Sequence, residues 1–74
     1  MDHQIIQDWT RALDGDDTLA PFEYRVVRVD DQCQQQVRDE TGTVIGSILL
    51  PDGVRMDRQS FDVMLRFALT QIAA

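Results

Sequence analysis

The chain has 74 residues, 43% of them apolar, and its thirteen acidic and seven basic side chains give a net charge of −6. This length predicts one domain, spanning residues 1–74, and the apolar fraction excludes a chain that is disordered by composition. One cysteine and one histidine exclude an internal disulfide and supply too few ligands for a His/Cys metal site. A core of this size supplies only about 3 to 5 kcal/mol of stability, so we expect oligomerisation or unusually good packing to supplement it.

The amino-terminal segment, residues 2–13, predicts an amphipathic helix. Its apolar side chains recur at the spacing of one helical stripe, and they are Ile5, Ile6, Trp9, Ala12 and Leu13. Asp2 is placed to cap the amino end of this helix, and Gly15 is placed to end it.

Three strands are predicted next, over residues 22–29, 33–38 and 43–50. Turn residues separate them, so we expect an antiparallel meander. Alternation breaks at Val26-Val27, which predicts either a β-bulge or a strand covered on both faces. The strand 43–50 is apolar on both faces, which predicts a central position or one against an interface, and Gly46 leaves room for a bulky neighbour such as Trp9.

A turn at Pro51-Asp52-Gly53 precedes a second helix, which Asp57 caps and which extends to about Ile72. The predicted fold class is α+β, in the order α-β-β-β-α. In this arrangement a three-stranded antiparallel meander carries both helices on one face.

The last helix is apolar over more of its circumference than one core face requires. At 100° per residue, a core face is formed by Phe61, Met64, Leu65, Ala68, Leu69 and Ile72. Val63 and Phe67 lie on the other side, as neighbours one turn apart. Either both sides are buried within the protomer, or Val63, Phe67 and Met64 form an intermolecular contact. We expect the contact, with a twofold homodimer as the first partner and a foreign protein as the second.

Catalysis has no recognisable constellation in this sequence, so we expect no enzyme and no cofactor. Cys33 lacks a neighbouring base, because the single histidine, His3, lies near the amino terminus. Asp14-Gly15-Asp16-Asp17 has the carboxylate density of a calcium loop but not its spacing, and Arg25 stands where the closing acid would be. No phosphate-binding glycine motif is present either.

Two further surfaces follow from the charge pattern. Arg25, Arg28 and Arg38, with Gln34 and Gln36, predict a polar sheet face, which is the alternative site of nucleic-acid binding. Net negative charge opposes that binding and opposes contact with membranes. The other surface is acidic and would mimic nucleic acid, which requires its carboxylates to gather at one edge of the fold. These carboxylates belong to Asp14, Asp16, Asp17, Asp30, Asp31, Asp39 and Glu40.

The leading hypothesis is therefore a small acidic accessory protein that acts by binding protein, of the kind by which phage or plasmids inhibit a host protein. The alternatives are a nucleic-acid-binding domain and a structural subunit of a larger assembly. Arginine in place of every lysine indicates a bacterial or phage source. Residues 1–13 lack a basic amino-terminal region, no apolar run is long enough to span a membrane, and the cysteine is free. These features predict a cytoplasmic protein.

Overall fold

A computed structural model of the chain describes residues 3–12, 19 and 21–72. These residues form the strands β1 (His3–Thr10), β2 (Glu23–Val29), β3 (Gln32–Arg38) and β4 (Val44–Leu49) and the helix α1 (Arg58–Ile72). The strands lie in the sheet in the order β1-β2-β3-β4, each antiparallel to its neighbours. The α+β class is confirmed, and the antiparallel meander extends over four strands rather than three.

The predicted helix over residues 2–13 is wrong, because residues 3–10 form the edge strand β1. Its ladder with β2 shifts register between Ile5 and Gln7 and again between Gln7 and Thr10. Each shift interrupts the two-residue alternation of a strand, so the apolar residues fall at a spacing that mimics a helix. The fold therefore has one helix on the sheet among the described residues, not two. Asp2, Leu13 and Gly15, which were to bound the predicted helix, lie outside those residues.

The adjacent valines of β2 are buried on opposite faces of the sheet. β2 and β3 pair without interruption from Glu23 with Arg38 to Val29 with Gln32, so β2 has no bulge against β3. Val26 and Val27 both have no exposed surface. The second explanation of the broken alternation, a strand covered on both faces, is therefore the correct one for this pair.

β4, the most apolar strand, lies at an edge of the sheet, so the expected central position is wrong and the alternative, a position against an interface, stays a prediction. Gly46 does leave room for a large neighbour, but the neighbour is Ile72 near the end of α1 and not Trp9. The helix packs over β3 and β4, which explains why its last turn lies over β4.

The core lies between the sheet and α1. From the helix, Phe61, Leu65 and Ala68 are buried against the sheet, and the rings of Phe61 and Tyr24 meet edge to face at 6.0 Å between centroids. Buried residues of the sheet and its connections complete this core, and they are Tyr24, Val26, Val37, Leu50 and Leu19.

Arg58 fixes the start of α1 to the strands β1 and β2. Its Nε donates to the Tyr24 hydroxyl at 3.1 Å, and its Nη2 donates to Thr10 Oγ1 at 3.1 Å and to the Arg11 carbonyl at 2.8 Å. Burial raises the pKa of Tyr24, while the hydrogen bond from Arg58 acts in the opposite direction. The flank of α1 that carries Arg58 therefore faces β1 and β2.

Candidate protein-binding surface

The helix that carries the candidate surface begins at a well-formed amino-terminal cap. Asp57 accepts a hydrogen bond from the Ser60 N–H at 2.8 Å, and its own carbonyl accepts from the Phe61 N–H at 3.0 Å. The bond from the Ser60 N–H is the main reason that the pKa of Asp57 lies below its ordinary value. Because the cap fixes where α1 begins, it also fixes which side chains face the sheet.

The apolar patch consists of Val63, Phe67 and Met64. Val63 is 65% exposed and Phe67 is 51% exposed, whereas Met64 is half-buried and packs against the core. Burial of both sides of α1 within the protomer is thus excluded for Val63 and Phe67. The patch runs from the edge of the core outward to solvent, which is the arrangement of an apolar contact surface.

A shallow cavity of about 300 Å³ adjoins the patch on the side of the segment that follows β4. Val63, Met64 and Ser60 of α1 line it together with Gly53, Val54 and Arg55. Arg55 is highly exposed and lies 3.9 Å from Asp57, a distance at which a surface ion pair contributes little. The cavity therefore gives the patch a concave, mainly uncharged margin.

The described members of the predicted acidic surface do not gather at one edge of the fold. Asp30 and Asp31 form the turn between β2 and β3, and Asp39 and Glu40 lie in the turn between β3 and β4, at the opposite end of β3. Asp14, Asp16 and Asp17, with the calcium-loop candidate they compose, lie outside the described residues. The four described members of the predicted acidic surface form two groups roughly 20 Å or more apart, the length of a seven-residue strand.

The sheet face opposite α1 carries an aromatic side chain that the sequence analysis had assigned to a helix. The guanidinium carbons of Arg25 and Arg38 lie 4.9 and 4.3 Å from the centroid of the Trp9 ring. Arg38 also pairs with Glu23 at 2.9 Å, and Arg25 donates to Gln36 at 2.9 Å. Gln34 shares this face, while Arg28 pairs with Cys33 and thus lies in register with the helix-facing residues.

A second cavity, of about 440 Å³, lies at the end of the sheet and brings Cys33 near charged groups. Arg28, Asp31 and Asp52 line it with Cys33 and with the apolar residues Leu49 and Met56. Cys33 is half-buried and carries a free thiol. Within residues 3–12, 19 and 21–72, no three His, Cys, Asp or Glu side chains lie together as a metal site requires.

The edge strand β4, which was predicted to lie centrally or against an interface, exposes apolar side chains on the sheet face opposite α1, where Val44 pairs with Arg38 and Leu49 pairs with Gln34. Val44 is 55% exposed and Leu49 is 57% exposed. The sequence carried a signal for this surface, because a strand that is apolar on both faces is typical of a position where both faces are covered.

Comparison of the sequence and the structure with known proteins adds no relative. No protein-family model, no curated protein and no solved structure matches the chain. The part of the chain that the structure describes contains no helix with the length and apolar character that crossing a membrane requires.

Proposed function

We propose that this chain is a small acidic accessory protein that acts by binding another protein chain through Val63, Phe67 and Met64, without catalysis of its own. The observation that supports the proposal is the exposure of Val63 and Phe67 on one flank of α1. A second copy of the chain is the first partner, and a foreign protein, such as a host enzyme inhibited by a phage or plasmid product, is the second. The proposed compartment is the cytoplasm of a bacterium.

The exposed side chains of the patch can contribute a measurable part of a binding free energy. Fully burying a Phe or Val side chain contributes roughly 1.5 to 3 kcal/mol each, and a few such residues dominate most interfaces. Each 1.4 kcal/mol or so changes a dissociation constant tenfold. Because Phe67 is only 51% exposed in the protomer, loss of its contact is expected to weaken binding by roughly 3- to 12-fold.

The test of the proposal is a charge placed in the patch. Phe67→Asp and Val63→Asp are compared with wild type by native mass spectrometry and by affinity capture from the source cell, with each captured partner purified and its binding measured. Gln4→Asp is the control, because it adds the same charge on β1 at the opposite edge of the sheet. Binding of either kind that survives both patch variants would refute the proposal.

Nucleic-acid binding remains the second candidate, since Trp9 adds to the arginine face the aromatic side chain that base stacking requires. Against it, the Trp9 ring already contacts two guanidinium groups, Arg38 is paired with Glu23, and the chain has a net charge of −6. The single tryptophan makes the test direct. Quenching of Trp9 fluorescence by an oligothymidylate at low salt, reversed by added salt, would favour this candidate over protein binding.

A further inference from the structure

Among the described residues, β4 is an edge strand with little of the protection that such strands usually carry. Of the described strands it pairs only with β3, and residues 43–50 carry no charge. Natural edge strands that stay unpaired are shielded by charges, prolines, bulges or covering segments. The opposite edge, β1, shows such features, because it contains Asp8 and two register shifts. β4 has one register shift near Ile45 and is regular from Gly46 to Leu49.

The free edge of β4 presents backbone groups in the spacing of a strand. Leu50 N–H donates to the Cys33 carbonyl at 2.9 Å, so this end of the β3–β4 ladder is a hydrogen-bonded pair. Because such pairs alternate along an antiparallel ladder, Ile48 and Gly46 also direct their N–H groups toward β3. The N–H and carbonyl groups of Ser47 and Leu49 therefore point away from the sheet.

The exposed flank of α1 lies on the same side of the molecule as this free edge. Arg58 ties one flank of the helix to Thr10 and Tyr24, on the side of β1 and β2. Met64 and Phe67 lie on the other flank, 120° and 180° of helical rotation from Arg58. Val63 and Met64 also line a cavity with residues 53–55, which follow β4.

From this arrangement we propose that the partner of the patch is a second copy of the chain, joined by antiparallel pairing of the two β4 strands about a twofold axis perpendicular to the sheet. This inference rests on the proposed function and specifies its partner. The result is a continuous eight-stranded sheet with both helices on one face. β4 becomes a central strand, the position that its apolar sequence predicts.

The placement of the elements agrees with such pairing. The start of α1 contacts Tyr24 on β2 and Thr10 on β1, and its last turn lies against Gly46 of β4, so pairing of two β4 strands would bring the carboxyl-terminal ends of the two helices toward the twofold axis. Met64 and Phe67 lie on the flanks that would meet, whereas Val63 points away from the sheet.

Charge and area also favour a second copy. Two chains of net charge −6 repel each other in general, but β4 and the patch of α1 have no ionisable side chain. The molecule measures 34 × 23 × 23 Å, so one side presents roughly 500 to 800 Å², against about 800 Å² per partner in a standard interface. The paired strands and the two patches would therefore place no like charges against each other.

Ser47→Pro is the variant that separates strand pairing from any other use of the patch. Proline removes an N–H that the protomer leaves unpaired and suits an edge strand in that orientation, so the fold is retained. Each dimer loses two hydrogen bonds, so we expect the dissociation constant of the dimer to rise roughly 30-fold or more. Ser47→Thr, which keeps the N–H, is the matched control.

The measurements are native mass spectrometry and light scattering across protein concentration, with amide exchange at Ser47 and Leu49 followed by NMR. A wild-type particle of twice the 8.5 kDa chain mass, with both amides protected, supports the proposal if Ser47→Pro and Phe67→Asp both dissociate it. A dimer broken by Phe67→Asp but untouched by Ser47→Pro overturns strand pairing and leaves the proposed function standing. A wild type that stays monomeric at millimolar concentration overturns the second copy as partner, and captured proteins then decide the proposed function alone.

Discussion

A β-carbon built on Gly46 would lie 2.8 Å from Cγ1 of Ile72, so any larger residue on β4 at this point requires the Ile72 side chain in the last turn of α1 to shift. Cδ1 of Ile72 would lie at 2.9 Å. This contact sets how closely the end of the helix approaches the edge of the sheet, and with it the position of the flank that carries Phe67.

Gly46→Ala is therefore expected to lower the free energy of unfolding, although alanine is otherwise the better strand residue. Overpacking of this kind costs about 1 to 3 kcal/mol. Ile72→Ala removes the clashing atoms, so in that background Gly46→Ala should be neutral or favourable. Urea unfolding of the four proteins, at one fixed protomer concentration, gives the coupling energy. Coupling below about 0.5 kcal/mol would show that the contact is not tight.

The strands β2, β3 and β4 and the helix α1 were predicted from local sequence to within about a residue, because turns and caps mark their ends. Gly42 and Gly53 adopt positive φ in turns that their neighbours also indicate, and Asp57 is the cap that the sequence predicts. These signals depend on a few adjacent residues, so a sequence alone carries them.

β1 was not predicted, because its pairing with β2 depends on residues about twenty positions away. Two register shifts bring Ile5, Ile6 and Trp9 to a spacing that a helix also produces. A weaker local signal favoured the strand, since isoleucine, tryptophan and threonine all prefer strands. The exposure of Val63 and Phe67 followed from counting around α1, but the interface role of these residues stays a prediction. The position of β4 at the edge of the sheet could not be predicted, because it depends on strand order, which local sequence does not encode.

Gln35 is buried in the core between β3 and α1 with half of its amide in use. Its Nε2 donates to the Phe61 carbonyl at 3.0 Å, whereas its Oε1 has no hydrogen-bond partner among the described residues. A buried polar atom without a partner destabilises the folded state. We expect Gln35→Met, which nearly conserves volume, to leave the free energy of unfolding unchanged or to raise it by about 1 kcal/mol.

Gln35→Ala is the matched comparison, because it removes the same amide but leaves a cavity and should cost about 2 kcal/mol or more. Thermal and urea unfolding of both variants measure the difference. If Gln35→Met loses as much stability as Gln35→Ala, the amide has a partner that stabilises the core.

Asp30 adopts a positive φ of 57° in the turn between β2 and β3, a backbone conformation that favours glycine. A side chain in this left-handed region is strained, although less for aspartate than for most residues. Asp30→Gly should therefore raise the free energy of unfolding by about 0.5 to 1 kcal/mol. Asp31→Gly removes the same charge next to it without that relief, so it should be neutral or destabilising. Equal effects of the two variants would assign the gain to charge instead.

Stability should fall as the medium is acidified, for a reason that two carboxylates share. The Asp39 carboxylate accepts hydrogen bonds from the Thr41 hydroxyl at 2.6 Å, the Thr41 N–H at 2.9 Å and the Thr43 N–H at 3.1 Å. The hydroxyl bond is the main cause that lowers the pKa of Asp39, as the Ser60 N–H lowers that of Asp57. Both folded-state pKa values thus lie below the ordinary value of 3.8 that applies to the unfolded chain.

A carboxylate whose pKa is lower in the folded state binds fewer protons there than in the unfolded chain. Its contribution to stability is complete above the unfolded-state pKa and is lost as the pH falls through the folded-state pKa. Urea unfolding from pH 6 to pH 2.5 should therefore show a decline that begins near pH 4. Asp39→Asn should decline less steeply, because asparagine does not titrate, whereas Asp52→Asn removes the same charge from another exposed turn and should follow wild type. Parallel curves for Asp39→Asn and wild type would show that the bonds from Thr41 and Thr43 do not favour the charged form in solution.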